Sequence, residues 1–138
     1  MSTVRLAFSS VPRYVRTARL VAVAVARRAG VSEDMLDEVR LATGEACGRA
    51  VERHRRHGVA ELVRVEMSDD GPYVVRVIDA CGAGHATLPA GHDEEAEDAD
   101  RMHEALLAAL VKDLEVRKGP DGTEVRMVWP VRRRLSGM

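Results

Sequence analysis

Two tight-turn signals do most to limit what this chain can fold into. The first is "SDDGP", residues 68–72, set between the β-rich runs "VAELVRVEM" (59–67) and "YVVRVIDA" (73–80). The second is "PDG", residues 120–122, set between "LEVRKG" (114–119) and "TEVRMVWPV" (123–131). An Asp-Gly step flanked by Val-rich alternation predicts an antiparallel hairpin. A hairpin alone leaves an apolar face in water and is marginal. Both hairpins therefore need a cover, and the segments around them must supply it.

Those segments read as helices and one further strand. "TVRLAFSS", residues 3–10, alternates as a strand. Ser9 or Ser10 then offers a cap, Pro12 suits a first helical turn, and Gly30 suits a stop. Ser32 caps a second helix, with Glu33 and Asp34 where the helix dipole favours anions. It runs to about residue 56 before Gly58, with Met35, Val39, Ala42 and Ala46 on its core face. "RMHEALLAALVKD", residues 101–113, is a third helix, with Met102, Leu106, Ala109 and Leu110 on one side. The order predicts an α+β fold, a two-layer sandwich. Its sheet is expected to be mixed, mostly antiparallel, of about five strands, with three helices on one face. One domain spans residues 1–131. Residues 81–100 are expected to form a long, lid-like loop, and 132–138 a flexible tail.

The chain has 138 residues, 46% of them apolar and 31% charged, which suits one globular domain. Its net charge of -1 provides no global field to recruit nucleic acid or an anionic membrane. Charge is nonetheless local. Arg13, Arg16, Arg19, Arg27 and Arg28 make one side of the first helix basic, either as a solvated face or as a docking face. Residues 93–100, "DEEAEDAD", hold six acids in eight positions, as a solvated segment or as one that meets a basic surface. Cys47 and Cys81 lack CxxC or His partners at metal-ligand spacing, so reduced thiols in a cytoplasmic protein are expected, with no metal site. "LVAVAVA", residues 20–26, falls far short of the roughly 20 apolar residues that span a bilayer.

Four stretches carry a resemblance: "LATGEACGRAVERH" (41–54), "VVRVIDACGAG" (74–84), "RMHEALLAALVKDLEV" (101–116) and "GPDGTEVRMVW" (119–129). Together with the element order, they resemble the GHKL (histidine-kinase-like) ATPase superfamily, and within it the small bacterial anti-sigma factor and serine-kinase type. The resemblance implies a helix carrying a catalytic Glu and, four residues on, an Asn that holds Mg²⁺. Glu45 matches the Glu, but Arg49 stands at the Asn position. A guanidinium has only donors, whereas Mg²⁺ takes oxygen ligands. The resemblance also implies an adenine-binding Asp followed by two glycines. Asp79 matches, with Gly82 and Gly84 one place late because Cys81 takes the first glycine position. A Gly-rich phosphate turn should precede the third helix, yet no glycine occurs from 92 to 118. Acids crowd that place, where a triphosphate would be repelled.

The residues thus predict a family fold with degenerate motifs. Glu45 and Arg49, an i, i+4 pair on one helix face, are expected to neutralise each other in the old pocket. Asp79 is read either as an ordinary strand-end acid or, by the resemblance, as an adenine contact. The function so implied is that of an anti-sigma-like regulator that binds a sigma factor, a STAS-type anti-anti-sigma protein, or both. It would act through its first two helices and sheet, as a homodimer where members of such families pair. ATP or ADP binding would be weak or absent. The alternative is an active ATP-dependent serine protein kinase with Glu45 as base and Arg49 on phosphate.

Overall fold

A computed structural model describes residues 3–82 and 94–132. Its order is β1 (Thr3–Phe8), α1 (Arg13–Ala29), α2 (Glu33–His57), β2 (Val63–Ser68), β3 (Tyr73–Ile78), α3 (Glu94–Leu110), β4 (Asp113–Gly119) and β5 (Gly122–Trp129). Both expected hairpins form, β2–β3 and β4–β5, and the strands lie in the order β1-β2-β3-β5-β4. Every pairing is antiparallel, so the sheet is not mixed.

Strand alternation becomes rows across the sheet, because register places like-facing residues side by side. One row runs Val4, Met67, Val75, Met127, Leu114, and the next Leu6, Val65, Val77, Val125, Val116. These residues pack with the helices in one core. The intervening row, Arg5, Glu66, Arg76, Arg126, Glu115, belongs to the opposite, open face. The helices meet this core through small side chains: Ala18, Ala22 and Ala26 of α1, and Ala42, Ala46 and Ala50 of α2. Alanines let helix axes come close to a Val-rich sheet. The aromatic anchors have satisfied polar tips. Tyr73 Oη donates to the Ala22 carbonyl at 2.7 Å, and Trp129 Nε1 to Glu38 Oε1 at 2.8 Å.

α3 corrects two expectations. It begins at Glu94, so residues 94–100, assigned by sequence to the lid-like loop, are helical. Glu and Ala are good helix formers, and acids in the first turns oppose the positive end of the dipole. The rest of that loop, residues 83–93, and the expected tail beyond 132 lie outside the described residues. The buried face is also different. Leu107 and Val111 are buried, while Met102 is 74% and Leu106 47% exposed. Contacts from Asp100 and His103 to α2 set the helix's rotation, and they bring Leu107 rather than Leu106 inward.

Candidate functional site

The site lies where the C-terminal half of α2, the end of β3 and the start of α3 converge. Residues 45, 49 and 53 repeat every four positions and so share one face of α2. Glu45, Arg49 and Arg53 therefore point toward the same groove. Asp79 ends β3 at its far side, and Asp100 enters from α3.

Asp79 is 2% exposed and its carboxylate is fully engaged. Oδ1 accepts the backbone N–H groups of Cys81 at 2.9 Å and Thr123 at 3.1 Å. Oδ2 takes Arg53 Nε at 3.1 Å and also its Nη2, a forked pairing. Arg53 had no place among the sequence candidates. Its signal was the i, i+4 spacing from Arg49, hidden within the basic stretch 52–57.

Arg49 is 4% exposed. It pairs with Asp100 and, at 3.3 Å, with Glu52. Asp100 Oδ1 also stands 3.5 Å from Arg53 Nη1. The described ion pairs thus form a ladder, Glu52–Arg49–Asp100–Arg53–Asp79. Glu45 departs from expectation: among the described ion pairs its partner is His103 of α3, not Arg49. Antiparallel α2 and α3 bring His103 directly across from Glu45, while Arg49 reaches the carboxylate one turn earlier on α3.

The glycines near Asp79 hold backbone rather than space. A Cβ on Gly82 would collide with the Pro120 carbonyl oxygen, and one on Gly122 with that of Asp79. Gly122 also has φ 150°, which L side chains rarely adopt. The β4–β5 turn therefore packs directly on the strand end. Gly84 lies outside the described residues.

His54, fully buried on the next turn, braces this corner. Its Nε2 accepts the Ala80 N–H at 2.8 Å, which assigns the proton to Nδ1. Nδ1 faces the Glu61 carbonyl at 3.1 Å and Ser10 Oγ at 3.0 Å. Burial lowers its pKa below the ordinary value, against the pull of Asp79. Burial also pushes the Cys47 thiol up to about 12, so this cysteine is inert. The Cys81 thiol is raised too, by burial and then by Asp79.

A cavity of about 20 Å³ remains between Arg49, Arg53, Asp100 and His103. That is room for about one water, where ligand pockets run to several hundred Å³. A wider hollow of about 350 Å³ opens beside Arg64 and Arg117, with Asp79 in its wall. No group of three His, Cys, Asp or Glu side chains gathers to hold a metal among the described residues. None of the described helices is long and apolar enough to cross a membrane.

A profile of the histidine kinase-like ATPase domain matches residues 8–129. The chain belongs to this family. Among solved structures, the chain is similar to the RsbU and RsbW domains of Rv1364c from Mycobacterium tuberculosis. That match has a TM-score of 0.69 and 19% identity, and covers 97% of this chain and 34% of the other. The chain thus spans about a third of that structure's length, and at this identity the likeness is one of fold. No curated protein matches the sequence. In this chain Asp79 is paired internally with Arg53, and the Arg49 guanidinium with Asp100 and Glu52.

Proposed function

We propose that this protein is a regulatory binding protein of the anti-sigma type. It sequesters a sigma factor or a STAS-type antagonist and does not turn over ATP. The single observation that carries the reading is the saturation of Asp79. Four donors, three of them from Arg53 and Cys81, already surround a carboxylate that would otherwise receive adenine. An incoming base would have to break a buried, charge-assisted pair, which is costly. Arg49 adds to this by placing positive charge where Mg²⁺ would sit. Family membership and the fold likeness to an RsbW domain support the partner-switching context.

Calorimetric titration with Mg-ATP tests the reading, and no saturable heat is expected. Micromolar affinity would overturn it. So would phosphate transfer to a STAS-type protein that is abolished by Glu45→Gln, which would instead establish the kinase alternative.

A further inference from the structure

α3 carries two apolar stripes. One is buried, at Leu107 and, just past the helix end, Val111. The other runs through Ala99, Met102, Leu106 and Ala109, in alternating steps of three and four. Those steps are the period of a seam that packs against another helix. The described fold leaves this seam uncovered: Met102 is 74% exposed, Leu106 is 47% exposed, and Ala109 is exposed with them. The pattern is that of a packing face, and the exposure is that of a face without its partner.

Leu41 widens the seam onto α2. Glu45 meets His103 and Arg49 meets Asp100, so the two helices run antiparallel, four residues of α2 beside three of α3. One turn before Glu45, Leu41 therefore stands level with residues 106 and 107. Leu107 is buried, which leaves Leu106 as its outward neighbour, and Leu41 itself is 54% exposed. Single exposed leucines are ordinary on a protein surface, but here three of the five large exposed hydrophobics of the described residues share one face. The charge beside it is acidic in excess. Glu95, one turn before Ala99, and Asp98 are exposed, against Arg101 as the one Arg or Lys of α3. Asp98 and Arg101 form a surface pair that holds neither strongly. Near Leu41 the exposed pair Asp37–Arg40 cancels, so the excess belongs to the N-terminal end of α3.

We propose that this face receives a basic amphipathic helix of a partner protein. The apolar stripe of that helix lies on Leu41, Met102 and Leu106, and its Lys or Arg side chains meet Glu95 and Asp98. Apolar burial supplies most of the affinity. The charge fixes direction, with the basic end of the incoming helix at the start of α3. The same acids oppose an anionic membrane surface. Such docking requires the binding role proposed above, but it does not depend on the state of the nucleotide cleft.

The probe that tests it is a synthetic peptide of about three heptads, with leucine at positions a and d and lysine at e and g, where like charges also keep it from pairing with itself. Fluorescence anisotropy with the full chain should show saturable binding, with a Kd on the order of micromolar. A scrambled peptide of the same composition should bind at least about tenfold more weakly. Met102→Gln with Leu106→Gln should weaken binding by about thirtyfold with circular dichroism unchanged, since glutamine keeps the helix. Glu95→Gln with Asp98→Gln should weaken it by about fivefold at low salt and change nothing near about 1 M salt. Leu62→Gln, at a comparably exposed leucine away from this face, should have no effect. Absence of saturable binding, equal binding of the scrambled peptide, or indifference to the Met102 and Leu106 substitutions overturns the proposal. So does self-association, measured by sedimentation velocity, that those two substitutions abolish, because the occupant is then a second copy. Failure here with Mg-ATP still giving no heat removes this face and leaves the regulatory reading, whereas Mg-ATP binding beside an intact peptide response does the reverse.

Discussion

The C-terminal half of α2 buries charge that the N-terminal half does not. The N-terminal half puts Leu36, Val39, Ala42 and Ala46 against the sheet. The C-terminal half buries Cys47, Ala50 and Val51 as well, but beside them also Arg49 and His54, with Arg53 partly buried. Apolar burial is non-directional and tolerates small shifts. The charged half tolerates none, because each guanidinium must meet its own carboxylate or be stranded in low dielectric. Stability at one end of the helix comes from packing alone, and at the other from packing joined to a set of ion pairs that lies in the cleft.

The largest effect should come from breaking that set at its most buried point. Arg53→Ala leaves Asp79 without its charge partner and should cost about 3–5 kcal/mol by denaturant unfolding. Adding Asp79→Asn should recover part of the loss, since no lone charge then remains buried. If the single substitution is neutral, the two halves of α2 do not differ as described. Gly122→Ala should cost about 2–3 kcal/mol in thermal melts, from a disfavoured φ and the collision with Asp79. Asp100→Asn, at a half-exposed carboxylate, should cost about 1–2 kcal/mol. Faster amide exchange in α3, with α1 unchanged, would show that the loss is local.

His54 sharpens the contrast through pH. Its folded pKa lies below the unfolded value, so its stabilising contribution is present above about pH 6.5. That contribution declines as pH falls toward the folded pKa, because the unfolded chain then binds the extra proton. The denaturation midpoint should drop between about pH 7.5 and 5.5, and His54→Gln should flatten the slope. The smallest effect is expected of Glu45→Gln. The pair with His103 is partly exposed, and its loss should stay within about 0.5–1 kcal/mol.

The same contrast explains what the sequence could tell. The hairpins, the helix ends at Gly30 and Gly58, and the α+β class follow from local patterns, and the apolar face of α2 follows from its period. Arg49 was legible as a departure from its family's pattern, but its partner was not. Asp100 is 51 residues away, inside an acidic run whose composition suggests a loop. The Arg53–Asp79 pair spans 26 residues and a change of layer. Pairing at such separation depends on how α3 is rotated against α2. That rotation is set by the ion pairs themselves, so the misread Met102–Leu106 face and the missed clasp have one cause.

The central claim is that the cleft is occupied by the chain's own side chains. Its most direct test is an amide NMR titration with Mg-ATP, following the Cys81 and Thr123 N–H groups that donate to Asp79. Both resonances should stay in place through millimolar nucleotide. Saturable shifts at both, with release of the Arg53 side chain, would contradict the account.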